Sequence, residues 1–440
     1  MLEANVKIIA ELKLFVELIN QQPSVLEKLS TLPHSFTRNR KLPFERLVLL
    51  IAKLCKKTLS VEIEQFFEEL TLPMSCSVSA FTQQRMKLEA IFFELWNRLL
   101  VASYYQYYED RVKRWKGYRI IAADGSNISL INTPALHACF GGQTNQCASF
   151  VQAKTFYCYD VLNELLLFPQ IQPYRYGELP MAYDNIHQLE SDMLMIYDRN
   201  FCNYKVVALH QWQEREIKFV IRGNESQLFI QKFIVSGAAS EVVEMLPQKN
   251  AIKGLEKSGY ITDKNTALKV RLVRVNLEKS VEVLMTNLWE EDGHPCSEFK
   301  SLYFKRWSIE TNIALQKNIL QLESFSGLTP LSVKQDFYAT VFIANLHSIL
   351  IKDAQTTVDS STTTRKHPAK INRNKSHGKL RNHLVALFTC HEPEEILKML
   401  HGYFIRNPTP VRHGRTFARI VKNKQSKSKH KTFMNYKPAF

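Results

Sequence analysis

The sequence lacks the features that mark several classes of protein. Its eight cysteines include no CxxC pair, so their spacing predicts neither a zinc ribbon nor a disulfide framework and favours reduced thiols. No apolar run approaches the ~18 residues that a membrane span needs. The first residues have helical periodicity with acidic side chains and lack the form of a signal peptide. These absences predict a soluble cytoplasmic protein with no membrane partner.

Acidic residues are fewer than basic residues in this chain. The chain of 440 residues has 42 Asp and Glu against 58 Lys and Arg, which gives a formal net charge of +16. An excess of this size predicts a polyanionic partner, most simply nucleic acid. Lys and Arg are densest over residues 412–431, and this stretch is predicted to be an arm that touches nucleic acid.

Hydrophobic periodicity changes along the chain and predicts a mixed α/β architecture. The pattern is helical at first, and from about residue 117 it changes to short runs rich in β-branched residues. A long apolar helix within LESFSGLTPLSVKQDFYATVFIANLHSILIKD is predicted to pack on the sheet, and the polar run that follows, TTVDSSTTTRKHPAKINRNKSHGK, is predicted to be a loop or disordered. The predicted regions are a helical DNA-binding domain (1–110), a first part of the core (111–222), a β-rich insertion forming a small subdomain (223–295), a second part of the core (296–353), and a basic linker, helical region and basic tail (354–440).

The segment SVSAFTQQRMKL, which begins at Ser77, opens a helix whose beginning is polar and basic. Gln83, Arg85 and Lys87 are predicted to be exposed there. A short helix, a turn and a second helix of this kind fit helix-turn-helix docking in a major groove. The same pattern fits an ordinary helical bundle equally well, and both interpretations stay open.

The most informative stretch is YFKRWSIETNIALQK, from Tyr303 to Lys317. On one continuous helix, an aromatic hydroxyl, a guanidinium, a carboxylate and an ammonium would fall within about 60° of one another. A stripe packed in a core would be apolar at these positions. This polar face suits an active site that handles a phosphodiester beside a metal ion, and its members are Tyr303, Arg306, Glu310 and Lys317.

Two more carboxylates follow short apolar runs, each interpreted as a strand that ends at the acid. Asp124 follows YRIIAA and Asp198 follows MLMIY. Carboxylates can hold two Mg²⁺ ions that act on a phosphodiester. Taken singly, Asp124 also fits a turn residue, Asp198 a helix N-cap or half of an ion pair, and Glu310 a solvated helix residue.

A strand-end Asp, a second strand-end Asp and a helical Glu, in this order, resemble the ribonuclease-H-like nucleotidyl transferases. The chain is similar in particular to the DDE transposases of bacterial insertion sequences of the IS4 family. Their signature Y-x2-R-x3-E-x6-K is matched without a gap at Tyr303, Arg306, Glu310 and Lys317. The contexts Asp124-Gly125-Ser126 and Asp198-Arg199-Asn200-Phe201 also resemble that family.

The resemblance implies a ribonuclease-H-like catalytic core with a β-rich insertion between α-helical N-terminal and C-terminal regions. It implies cut-and-paste transposition with two Mg²⁺ ions, for which Mn²⁺ can substitute, held by Asp124, Asp198 and Glu310. The implied partners are double-stranded DNA, as terminal inverted repeats and as target, and a second copy of the chain in a synaptic complex. The implied location is the bacterial cytoplasm, at the nucleoid when the protein is bound to DNA.

The neighbouring residues receive DNA-binding roles. Arg306 and Lys317 suit phosphate contacts, and Tyr303 suits a hydrogen bond to a terminal phosphate. Trp307 fits either stacking on a displaced base or a place in the core. Arg222 ends the run IKFVIR and is a candidate to point toward the site. Two further functions stay open: a nuclease of the same fold without strand transfer, and an inactive DNA-binding derivative.

Overall fold

The structure is a computed structural model that describes residues 2–38, 40–73, 75–144, 149–278, 280–361 and 366–412. The basic arm predicted over 412–431 lies, except for Arg412, outside the described residues. The α-helices are α1 (Leu2–Gln21), α2 (Pro23–Lys28), α3 (Phe44–Ala52), α4 (Leu59–Glu69), α5 (Val78–Arg85), α6 (Ile91–Tyr107), α7 (Pro134–Phe140), α8 (Glu178–Asn185), α9 (Tyr204–Gln211), α10 (Leu228–Ser236), α11 (Lys249–Glu256), α12 (Cys296–Phe304), α13 (Trp307–Asn318), α14 (Pro330–Leu350), α15 (Lys352–Ser361), α16 (Arg373–Thr389) and α17 (Pro393–Ile405).

The strands are β1 (Arg119–Ser129), β2 (Gly142–Thr144), β3 (Ser149–Asp160), β4 (Leu165–Pro173), β5 (Met193–Tyr197), β6 (Lys218–Arg222), β7 (Ser240–Met245), β8 (Leu268–Asn276), β9 (Val281–Thr286), β10 (Ala369–Ile371) and β11 (Pro408–Pro410). Short 3₁₀ turns occupy Glu109–Arg111, Ile186–Gln188 and Arg199–Phe201. The predicted mixed α/β class is confirmed. In the described part of the chain, no helix is both long enough and apolar enough to cross a membrane.

The chain divides into two compact units, and the first is largely helical. It comprises Met1–Val112, Ile128–Ala153 and Ala314–Phe440. Helix α14 is buried along almost its whole length and packs against α3 and α6, where Trp96 stacks on Phe342 with ring centroids 4.0 Å apart. The prediction that this helix packs on the sheet is therefore wrong, because its apolar surface is covered by helices of its own unit.

The second unit, Lys113–Asn127 with Lys154–Ile313, is centred on a sheet. Its strands follow the order β3-β1-β5-β6-β9-β8-β7, with β4 paired to β3. Strands β1, β5 and β6 are parallel neighbours, and β9 returns antiparallel to β6. Their apolar residues form the core, on which Phe299 and Leu302 of α12 are fully buried. Burying a side chain of this size contributes about 1.5–3 kcal/mol, so the core holds α12 on the sheet.

The segment predicted as a β-rich subdomain continues this sheet. Strands β7, β8 and β9 form an antiparallel ladder that joins β6, and α10 and α11 lie between them in sequence. The strands are thus confirmed, whereas the separate subdomain is not, because hydrogen bonds between β6 and β9 make the ladder part of the larger sheet.

The polar run predicted as a loop after residue 353 is folded in part. Helix α15 covers its first residues and buries Ala354 and Val358. Asp353, at the start of α15, accepts hydrogen bonds from Arg111 and Tyr108 at 3.0 and 3.1 Å. Asn372 then caps α16, since its side chain accepts the N–H of Lys375. A few buried apolar side chains and these polar contacts outweigh the Ser/Thr-rich composition.

Candidate active site

Asp124 and Asp198 lie at the same level on neighbouring parallel strands. The ladder pairs Ala122 of β1 with Ile196 of β5, so the same register two residues further on brings Asp124 opposite Asp198. The carboxyl ends of adjacent parallel strands lie about 4.8 Å apart. Ligand sites in open α/β sheets form at such ends. The sequence predicted this for both residues, although β1 does not end at Asp124 and continues to Ser129.

Arg222 is at the same level on the next strand. The ladder between β5 and β6 pairs Tyr197 with Ile221, and the next pair in that register is Asp198 with Arg222. The guanidinium of Arg222 forms an ion pair of 3.0 Å with Glu282 of β9. The backbone register thus carries Arg222 next to the end of β5, and a role for its side chain in the site stays a prediction.

The two aspartates are half-buried and crowded by negative charge. The side chain of Asp124 is 19% exposed. Its pKa is raised to about 6, chiefly by burial; the N–H of Gly125 and the charge of Arg306 oppose the rise, and the charges of Asp198 and Glu178 add to it. Burial likewise raises the pKa of Asp198. Each carboxylate accepts one backbone N–H at 2.8 Å, from Gly125 and from Asn200, respectively.

The stretch from Tyr303 to Lys317 is not the single helix that the sequence predicted. Helix α12 ends at Phe304 and α13 begins at Trp307. Between them the N–H of Arg306 donates to the carbonyl of Tyr303, an i to i+3 bond that is tighter than an α-helical turn. The break buries the Arg306 side chain, whose guanidinium lies 3.0 Å from Glu310 and 4.0 Å from Asp124. Arg306 thus joins the helical acid to the strand acid.

Tyr303 has a buried hydroxyl that could accept a ligand. The residue is 6% exposed, and its hydroxyl has no hydrogen-bond partner among the described residues. Burial raises its pKa to about 12, with the charges of Arg306 and Arg222 opposing. The phenol therefore stays protonated near neutral pH and is able to donate. A buried polar group without a partner costs free energy, so a bound phosphate or water would stabilise it.

Trp307 and Lys317 are both on α13. Trp307 is 50% exposed, with the Arg306 guanidinium 5.0 Å from its ring, so it does not lie in the core. Lys317 falls in the last turn, seven residues after Glu310, which is about 10 Å along the helix axis. A DNA contact of Lys317 stays a prediction.

The residues predicted to read DNA in the first unit divide into two groups. Gln83 is exposed and Lys87 is partly exposed on and just after α5. Arg85 is 2% exposed, and its guanidinium lies 2.9 Å from both Asp336 and Gln335 of α14. A DNA contact by Arg85 is contradicted by this burial, because α5 turns Arg85 toward the helices that it packs against.

Glu178 and Lys154 belong to the site but were not predicted. Glu178 begins α8, and its charge raises the pKa of both Asp124 and Asp198. Lys154 of β3 lies 3.1 Å from Glu178. The available signal was Lys154 itself, a cation within a strand of mostly buried residues. Nothing in the sequence distinguished Glu178 from other acidic residues in the first turn of a helix.

The donors present fit Mg²⁺ in part. Mg²⁺ prefers oxygen ligands and is usually held by only one or two carboxylates. Asp124 and Asp198 supply two carboxylates on neighbouring strands, and nearby positive charge only partly balances their negative charge. Glu310, the predicted third ligand, is paired with Arg306 instead. Within the described ranges no group of three or more His, Cys, Asp or Glu is arranged to hold a metal ion. A ligand role for Glu310 requires its carboxylate to leave Arg306.

Comparison with known proteins gives little. No family model matches the chain, and no curated protein matches it. A solved structure, the cryo-EM structure of a piggyBac transposase synaptic complex with hairpin DNA, is similar at a TM-score of 0.39 and 10% identity, over 98% of this chain and 88% of that chain. A likeness this distant carries no weight for fold or function.

Proposed function

We propose that this chain is a DDE transposase of the IS4 type with a ribonuclease-H-like core, which cuts DNA and transfers the cut strand in a metal-dependent reaction. The observation that carries the proposal is the register that sets Asp124 opposite Asp198, with Arg306 bridging Asp124 to Glu310. A strand-end acid pair beside a helical acid is the order of groups that the sequence resemblance implies. The +16 charge of the chain supports DNA as its substrate.

Asp124 and Asp198 would hold the metal ions. Glu310 would become the third ligand once its carboxylate had left Arg306. When bound, two Mg²⁺ ions activate an attacking oxygen and stabilise a leaving one. Arg306, freed from Glu310, is placed to contact a phosphate, since a guanidinium binds a phosphate with two parallel hydrogen bonds. Tyr303 would donate its unpaired hydroxyl to a phosphate oxygen.

Trp307 is proposed to stack on an unpaired base at the cut end. Its ring is half exposed beside Arg306, and stacking of a base on an aromatic ring is worth about 1–3 kcal/mol. Lys317, further along α13, would contact the DNA backbone away from the metal ions. Synapsis of two DNA ends would require two copies of the chain.

The test is Mg²⁺-dependent cleavage of the terminal repeats that flank the coding sequence. The wild-type protein and the variants Asp124→Ala, Asp198→Ala and Glu310→Ala would be compared with Asp184→Ala, an exposed acid of α8 that pairs with Tyr176. We expect loss of cleavage in the first three variants and not in the control. Undiminished cutting by one of the three would remove that residue from the site.

A strand-transfer assay separates the proposal from a nuclease. The products of cleavage would be incubated with a supercoiled target plasmid. Covalent joining of the cut 3′ ends to the plasmid supports a transposase, whereas cleavage without joining supports a nuclease of the same fold. Specific DNA binding without either reaction would support an inactive derivative.

A further inference from the structure

Glu178 is a fourth acid beside the strand ends. It is the first residue of α8, the helix that follows β4 in the second unit. A Cβ atom built on Gly125 would lie 2.5 Å from Cγ and 2.7 Å from Cδ of Glu178. The carboxyl group of Glu178 therefore lies directly against the backbone of the residue that follows Asp124. Any side chain at position 125 would push Glu178 away.

Lys154 fixes the other side of this carboxylate. Its ammonium lies 3.1 Å from Oε1 of Glu178, and both side chains are largely buried, at 16% and 24% exposure. Lys154 is on β3, the neighbour of β1 in the sheet. The pair thus lies beside the residue that follows Asp124, while Arg306 contacts Asp124 and Glu310.

The local charges are unbalanced. Three acids, Asp124, Asp198 and Glu178, lie close together, and the nearby cations Lys154, Arg306 and Arg222 are each already paired with a glutamate. An independent feature also indicates a missing ligand. The hydroxyl of Tyr303 is buried without a partner among the described residues, and the charge of Asp198 is among the causes that raise its pKa, so the two groups lie near each other. A divalent cation and its bound water would satisfy both.

We propose that Glu178 is a further metal-positioning residue of this site and that Lys154 is its counter-ion while no metal is bound. The inference rests on the proposed function. A divalent cation held by Asp124 and Asp198 would be faced by Glu178 through a water molecule, and the ammonium of Lys154 would then lose its pairing with Glu178. Lys154 and Glu178 then have opposite effects on metal affinity.

The experiment measures Mn²⁺ binding to the full-length protein by EPR titration, without DNA. The variants are Glu178→Gln, Lys154→Gln, Asp124→Asn and, as matched control, Glu190→Gln. Glu190 is an ion-paired glutamate at the opposite end of β1 and β5, where it contacts Arg119. Thermal unfolding of each variant in EDTA reports whether it is folded.

We expect Glu178→Gln to weaken Mn²⁺ binding about tenfold or more, as the loss of an outer-sphere partner typically does. Lys154→Gln removes a competing positive charge and should tighten binding by roughly threefold. Glu190→Gln should bind like the wild type. Gly125→Ala, which leaves every charge in place but displaces Glu178, should weaken binding in the same direction as Glu178→Gln.

Three results would overturn the inference. If Glu178→Gln binds Mn²⁺ like the wild type while Asp124→Asn has lost binding, Glu178 is not part of the site and the proposed function stands. If Glu178→Gln and Lys154→Gln weaken binding equally and lower thermal stability equally, the pair only supports the fold. Failure of the wild-type protein to bind Mn²⁺ would reject the proposed function together with the inference.

Discussion

The ionised form of Asp124 is disfavoured in the folded protein when no metal is bound. Its pKa is about 6 against an ordinary value of 3.8, chiefly because of burial. Across this interval the folded state binds more protons than the unfolded state, so the free energy of unfolding falls as the pH rises. A shift of about two pH units corresponds to about 3 kcal/mol. Active sites commonly store such a cost, and a bound cation would remove it.

The residue-scale prediction concerns Asp124→Asn in EDTA. The variant lacks the titrating group, so at about pH 4, where the wild-type carboxyl is largely protonated, both proteins should be about equally stable. At about pH 7.5 the variant should be more stable by up to 3 kcal/mol. Urea unfolding across the pH range measures the difference. A difference that does not change with pH would mean that Asp124 titrates normally.

Metal supplies the control for this prediction. Added Mg²⁺ binds the folded state and should raise the urea midpoint of the wild-type protein at neutral pH. Asp124→Asn should show little of that increase. Equal stabilisation of both proteins by Mg²⁺ would place the metal elsewhere.

Individual residues of the site were predictable to different degrees. Asp124 and Asp198 could be found because an apolar run before an acid indicates a strand end, and the paired register then brings them together. Glu178 could not be found. Nothing in its local sequence shows that α8 delivers it against Gly125, since that contact depends on the packing of the helix against β1.

At the scale of elements, the break between α12 and α13 shows where periodicity fails. The stretch 303–317 has no Pro or Gly, and its local sequence favours a continuous helix. The break at 305 and 306 accompanies burial of Arg306 against two acids, of which Glu310 is four residues away and Asp124 comes from a distant part of the chain. The prediction correctly grouped Arg306 with Glu310, but it assumed one continuous helix, which the structure interrupts.

Helix α5 illustrates the same limit in the first unit. The pattern SVSAFTQQRMKL was consistent with a bundle or with a DNA-reading helix. In the structure Arg85 anchors α5 to α14 through Asp336 and Gln335. Although burial alone would raise the pKa of Asp336, the charges of Arg85 and Lys56 and the N–H of Ser326 lower it. The pair is thus ionised and buried, as expected of a structural contact.

The element-scale prediction is that Arg85→Ala destabilises the protein by about 3–5 kcal/mol, because it leaves the Asp336 carboxylate buried without its partner. Gln83→Ala, on the exposed face of the same helix, should change the free energy of unfolding by less than about 0.5 kcal/mol. Urea unfolding followed by circular dichroism measures both. If Arg85→Ala is as stable as Gln83→Ala, the ion pair does not anchor α5.

At the scale of the whole molecule, the net charge of +16 is unevenly distributed. Residues 413–440 contain eight lysines and arginines and no acidic residue, so about half of the excess lies outside the described part of the chain. Contacts between such residues and phosphates are sensitive to salt and insensitive to sequence. The acids of the proposed metal site, by contrast, lie in the second unit. Binding strength and cleavage should therefore be separable.

The whole-molecule prediction is that deletion of residues 413–440 weakens DNA binding without abolishing metal-dependent cleavage. For every phosphate that the shortened protein no longer neutralises, the magnitude of the slope of log affinity against log salt should fall by about 0.9. The difference in DNA affinity between the full-length and the shortened protein should therefore become smaller as salt rises from about 50 mM to about 200 mM. Fluorescence anisotropy with a labelled duplex measures the slope, with a random duplex as control because the effect should be equal for both sequences. An unchanged slope would mean that the folded units contact the phosphates. Loss of preference for the terminal repeats would mean that the deleted residues, and not the N-terminal helices, recognise the DNA sequence.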